Sequence, residues 1–166
     1  LGEKNGYQHL HLEGQGTPSS DTTKFSWMNN GKFYTLTAAT DASDELLFTR
    51  IGANDPEFNL RREAAFMIRR KEAGNTVFAT TIEPHGSYSP VSEIAVNSNS
   101  SISALRIIYD DDDYTAVSIE DLNGITSLFI VANADASVVA QHRLTIDSQT
   151  YQWTGPYQYI ARQSSL

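Results

Sequence analysis

Residues 24–38 read KFSWMNNGKFYTLTA, two runs of alternating apolar and polar residues on either side of Asn29-Asn30-Gly31. Asn and Gly tolerate the positive φ that a tight turn requires, so the spacing predicts a hairpin of two strands, Lys24–Met28 and Lys32–Ala38. Working outward, similar period-2 runs recur along the whole chain, separated by Gly, Asn, Asp, Pro or Ser. Repeated short strands with turn signals between them are the pattern of an all-β sandwich or barrel. Strands are expected at Tyr7–Glu13, Glu45–Ile51, Glu63–Arg70, Thr76–Ile82, Val91–Val96 and Ile102–Tyr109. They continue at Tyr114–Ile119, Ile125–Val131, Val138–Ile146, Thr150–Thr154 and Tyr157–Ala161. Turns at Glu72–Asn75, Asp121–Gly124 and Asp147–Gln149 fit this spacing, and Ala132–Ser137 reads as a loop or a single helical turn. No repeat or linker divides the chain. The expectation is one domain over residues 1–166, an antiparallel, jelly-roll-like β-sandwich of about 12 strands.

The composition allows such a core. At 166 residues, roughly two-thirds of the unfolded surface can be buried, and 40% hydrophobic residues exclude a disordered or collagen-like chain. No apolar run approaches the roughly 20 residues of a membrane-spanning helix. With no Cys, disulfides, thiolate metal sites and thiol nucleophiles are excluded. The chain opens Leu1-Gly2-Glu3 with no Met or signal-like segment, as a mature product or an excised piece would.

Twelve Lys and Arg face 20 Asp and Glu, a net charge of −8 that argues against nucleic acid and anionic membranes as partners. The cations are unevenly spread. Arg50, Arg61, Arg62, Arg69, Arg70 and Lys71 lie in one window with Asp55, Glu57 and Glu63, so the window is +3 while the rest is −11. One reading is an anion site; the other is a set of cations paired with the domain's acids on a solvated face.

Other motifs are weak. His9 and His11, two apart on an expected strand, would share a face but supply only half a tetrahedral metal shell. Asp110–Asp113 lacks the alternate spacing and the Gly of a calcium loop and reads as a solvated hairpin turn. Gly14-Gln15-Gly16 lacks the third Gly and the helix of a dinucleotide site, and no nucleophile elbow is present. No cofactor and no metal are expected. The informative stretch runs from Arg50 to Tyr88 and contains RIGANDPEFNLRREAAFMIRR and TTIEPHGSY. Alternation sends Arg69 and Arg70 to opposite faces. Glu83-Pro84-His85-Gly86 reads as a tight turn ending a strand, with His85 at a sheet edge and Tyr88 close behind. Arg50, Asn54, Arg61, Arg69, His85 and Tyr88 would together suit a uronate, because Arg matches a carboxylate with paired N–H donors and Tyr stacks on the apolar face of a sugar.

At YQHL from Tyr7, FSWMNNGKFYTLT from Phe25, RIGANDPEFNLRREAAFMIRR from Arg50 and ATTIEPHGSYSP from Ala79, the sequence resembles the C-terminal β region of heparinase II/III-like polysaccharide lyases. It is most similar there to the alginate lyases of polysaccharide lyase family 17. The resemblance implies a helical α/α toroid joined to antiparallel β-sheets, and cleavage of uronate polymers by β-elimination. In that family a Tyr/His pair acts as base and acid while an Asn or His neutralises the uronate carboxylate, which makes the C5 proton removable. The toroid and the early β-sheet supply these groups and those around a bound zinc, all expected upstream of Leu1, and no catalytic residue carries over to this chain.

Three functions follow as expectations. The chain is a β-domain that binds or positions acidic polysaccharide such as alginate, or a structural domain packed on the toroid with its cations neutralised by Glu57, Glu63 and Glu83, or a lyase using His85 and Tyr88. The substrate implies a periplasmic or extracellular location.

Overall fold

The turn at Asn30-Gly31 closes with φ of 49° and 71°. Two successive positive φ values in a two-residue loop are the mirror-image turn whose twist matches that of paired strands, and Asn29 pairs directly with Lys32. A computed structural model describes residues 2, 4, 6–52, 63–71 and 73–163, except the side chains of residues 8, 162 and 163. After a 3₁₀ turn at Tyr7–His9, the strands are β1 (Leu10–Gly16), β2 (Thr22–Asn29), β3 (Lys32–Ala39), β4 (Glu45–Ile51) and β5 (Glu63–Arg69). Next come β6 (Thr80–Ser89), β7 (Ile94–Val96), β8 (Ile102–Asp110) and β9 (Tyr114–Asp121). The last four are β10 (Ile125–Ala132), β11 (Gln141–Ile146), β12 (Gln149–Thr154) and β13 (Tyr157–Gln163). Every described pairing is antiparallel. The protein is all-β, as the alternation predicts.

Two compact units divide the chain, Leu1–Ser20 with Asp41–Thr76 and Asp21–Thr40 with Val77–Leu166. In the first, β1, β4 and β5 form one sheet in that order. Leu47 and Thr49 are buried while Phe48 between them is half exposed, the alternation of a sheet with one covered face.

The second unit holds three sheets, β2-β3-β6-β7, β13-β10-β9-β8 and the hairpin β11-β12. One face of the β8–β9–β10–β13 sheet carries Ala116, Leu128 and Ile130, which pack against Leu144, Ile146 and Trp153 of the hairpin. Its opposite face carries Leu105, Ile107, Val117 and Ile119, packed against Ala39 and Ala79. Thr22 Oγ1 fastens β2 to β8 there, donating to the Leu105 carbonyl at 3.1 Å. The unit is thus a layered antiparallel sandwich.

Several expected elements differ. β6 begins at Thr80, not Thr76, because Ala79 uses its carbonyl to accept from Ala39 N–H and its side chain to enter the core. β7 begins at Ile94, since Val91 lies on a turn, 95% exposed. β11 begins at Gln141, after a turn closed by Ala140 N–H on the Ser137 carbonyl. His9 sits in the 3₁₀ turn, so strand alternation does not align it with His11. Glu83-Pro84-His85-Gly86 does not end a strand but lies inside β6. Pro is tolerated at 84 because β7 pairs only with Ser87–Ser89, leaving no outer ladder to break there.

Candidate functional site

In the first unit, the β4–β5 register places the start of one strand beside the end of the other, with Glu45 opposite Arg69. The acids at the head of β4 therefore meet the cations at the tail of β5. Arg69 Nε and Nη2 reach Glu45 Oε2 at 2.7 and 2.5 Å, and Lys71 Nζ takes Oε1 of the same carboxylate at 2.7 Å. Arg70 binds Asp44 fork to fork, Nε to Oδ1 and Nη2 to Oδ2, both at 2.7 Å. Asp44 is fully buried. Burial alone would raise its pKa, yet the Arg70 guanidinium and the Asp41 backbone N–H hold it below the usual carboxylate value. Arg70 is correspondingly pushed up, first by its hydrogen bonds to Asp44. Lys71 and Arg69 hold the Glu45 carboxyl low in the same way.

Arg50 donates from Nε to Glu13 Oε2 at 3.0 Å. It stands opposite Ala64, whereas Arg69 stands opposite Glu45. Five rungs, roughly 17 Å, separate the two along the hairpin, too far for one carboxylate to bridge. Asn54 and Arg61 lie outside the described residues, as do Glu57 and Arg62. The acids in the ion pairs of the window's described cations are thus Glu13, Asp44 and Glu45. A hairpin register drawn through Glu45–Ile51 and Glu63–Arg70 would have found Asp44 and Glu45, since it brings those acids to Arg69 and Arg70.

In the second unit, His85 and Gly86 border a cleft of about 570 Å³ together with Glu83, Asn97, Ser100 and Leu122. His85 stands inside the sheet, stacked on Phe33 with ring centroids 6.1 Å apart. Its Nδ1 lies 2.8 Å from the Asn97 carbonyl oxygen, which only accepts, so Nδ1 carries the proton. Nε2 bonds Thr35 Oγ1 at 2.8 Å, and Thr35 in turn bonds Ser26 Oγ at 2.8 Å. Both ring nitrogens are engaged in holding β3, β6 and the segment after β7 together. Glu83 is gripped by the Ser100 hydroxyl at 2.5 Å, the Ser101 hydroxyl at 2.6 Å and the Ser101 amide at 3.0 Å. Burial pushes its carboxyl up, but these donors outweigh burial and hold it low, so the cleft carries a negative charge. Tyr88 N–H donates to the Gly31 carbonyl at 2.8 Å, tying the strand back to the hairpin turn.

The remaining motifs are structural. The acidic run closes the β8–β9 hairpin: Asp111 accepts from the amides of Asp113 and Tyr114 and from the Tyr109 hydroxyl. Gly14-Gln15-Gly16 lies in β1, whose register shifts between Leu12 and Gly14 as at a β-bulge.

No protein-family model matches the chain. An alginate lyase of Stenotrophomonas maltophilia is 33% identical over 162 residues, 98% of this chain. An exo-oligoalginate lyase of Saccharophagus degradans is 24% identical over 165 residues, also 98% of the chain. The chain spans 22% of the length of either relative. It is thus a homologue of part of an alginate lyase, and the resemblance carried by the motifs of its first half extends through the second.

Proposed function

We propose that residues 1–166 act together as a non-catalytic C-terminal β-domain of an alginate lyase, supporting the catalytic toroid rather than supplying an acid, a base or an independent polysaccharide site. The observation that carries this reading is the pairing of the described cations of the basic window with carboxylates. Arg50, Arg69, Arg70 and Lys71 face Glu13, Glu45 and Asp44, with Asp41 adding its field at Arg70. The four cations pair with three carboxylates and a fourth, Asp41, acts on Arg70 through its field, so the described part of the window offers a uronate no net positive charge, in a chain that is −8 overall. The TTIEPHGSY segment supports the same reading. The two nitrogens of His85 are committed to Thr35 and Asn97, and the neighbouring cleft carries the Glu83 carboxylate, which repels a polyanion. A parent lyase acting on polymeric alginate would work in the periplasm or outside the cell.

Calorimetry of the chain against defined alginate oligosaccharides at low and high salt tests the reading. No heat is expected from the folded protein at either salt concentration. Heat that fades with salt and disappears in Arg50→Ala would make the chain a polysaccharide-binding domain instead.

A further inference from the structure

The β8–β9–β10–β13 sheet of the second unit has one face sealed by the β11–β12 hairpin. On the opposite face, the β8–β9 half is packed against Ala39 and Ala79, with Leu105 only 1% exposed. The β10–β13 half is different. By register, Phe129 stands opposite Tyr159 and Val131 opposite Tyr157, on the face that also carries Val117. Tyr157 and Tyr159 are 58% and 56% exposed. The Phe129 and Tyr157 rings lie 5.6 Å apart, and the Tyr159 hydroxyl bonds Ser127 Oγ at 3.0 Å, so the aromatic surface is held in place by its own members. Beside it runs a groove of about 470 Å³ between residues 77–81 and the sheet, lined mainly by apolar side chains such as Val77, Ile119 and Val131.

Two features identify what covers this face. Val117, Ile119, Ser127, Phe129, Val131, Tyr157 and Tyr159 contain no charged side chain, although the chain carries −8. A polyuronate would find no cation there, whereas an uncharged polypeptide surface matches it, and aromatic residues with depleted charge mark the centres of protein interfaces. The second feature is length: the chain matches 22% of each relative, so each lyase contains several times as much further polypeptide. β13 is also the outermost strand of its sheet, leaving an edge that an arriving strand can pair with.

We propose that the Phe129–Tyr157–Tyr159 face is the docking surface for the remaining polypeptide of the lyase, which meets it with an uncharged apolar surface. The proposal rests on the structural reading of the chain and adds the surface through which it acts.

The test is the Stenotrophomonas maltophilia lyase with its homologous segment replaced by this chain, with and without Tyr157→Arg and Tyr159→Arg together. In the isolated chain the pair is expected to lower Tm by no more than about 3 °C, because both rings are already half in water. In the chimaera it should lower Tm further and reduce lyase activity by about tenfold or more, because two charges would be buried in the interface. Equal small effects in both settings would overturn the proposal. So would an isolated chain that sediments as a dimer and becomes a monomer in the double variant, which would make a second copy the occupant. Hydrogen exchange in the unmodified Stenotrophomonas lyase decides the matter even if the chimaera does not fold. There the segment aligned with Tyr157–Gln163 is expected to be protected as well as that aligned with Ile125–Ala132; fast exchange at the former overturns the proposal. A folded but inactive unsubstituted chimaera would count against the structural function while leaving the exchange test intact.

Discussion

Gly86 occupies a position that no side chain fits. It is the extra residue where β6 shifts register against Lys32 and Phe33, its φ is 46°, and a Cβ there would lie 2.1 Å from the Asn97 carbonyl oxygen and 2.2 Å from that of Val96. Both contacts are backbone, so no side-chain movement relieves them. Gly86→Ala is expected to destabilise the protein by about 3 kcal/mol, read as a lower urea midpoint. The Asp44–Arg70 pair is comparable in weight for a different reason. Removing the Arg leaves a buried carboxylate uncompensated, so Arg70→Met should also cost about 3 kcal/mol. Its pH signature has a definite sign. Asp44 is held below its ordinary value of 3.8, so its contribution is present above that value and is lost as pH falls through the lower folded-state pKa. Glu83 is held low in the same sense, though it starts from 4.5. Acid titration of stability should therefore fall less steeply below about pH 4 in Asp44→Asn than in the parent chain.

At the level of elements, the β9–β10 pairing against the β11–β12 hairpin makes the core, and Ile130 is completely buried in it. Ile130→Ala is expected to cost about 3 to 4 kcal/mol, measured by thermal or urea unfolding, since the neighbouring strands are fixed by their ladders and cannot collapse into the space. The strands themselves were legible from period-2 alternation and from turn residues such as Asn30-Gly31, because one-sided burial writes itself into alternate positions. What was not legible depended on long-range partners. Pro84 looked like a strand end because Pro breaks a ladder, and only the shortness of β7 shows why it breaks none here. His9 and His11 looked like a pair because the 3₁₀ turn at Tyr7–His9 carries no strand-like or helical periodicity. The basic window left both an anion site and a paired, solvated face open, because Glu13, Asp44 and Glu45 lie outside it in sequence and reach it only through the β1–β4–β5 register.

For the molecule as a whole, the proposed supporting function implies that the chain is inert alone. Incubated with alginate, the isolated chain is expected to give no rise in ultraviolet absorbance from unsaturated uronate; a rise abolished by His85→Ala would assign it a chemistry of its own. The path of the chain between its two units bears on any attempt to divide it further. It leaves the first unit after Ser20 for the β2–β3 hairpin, returns at Asp41, and leaves again after Thr76. Each unit is made of two separate stretches of chain, so a single protease nick or a simple truncation cannot release one unit intact. A gene recombination that moved one unit as a single segment would have to carry part of the other with it, so the two units are expected to travel together.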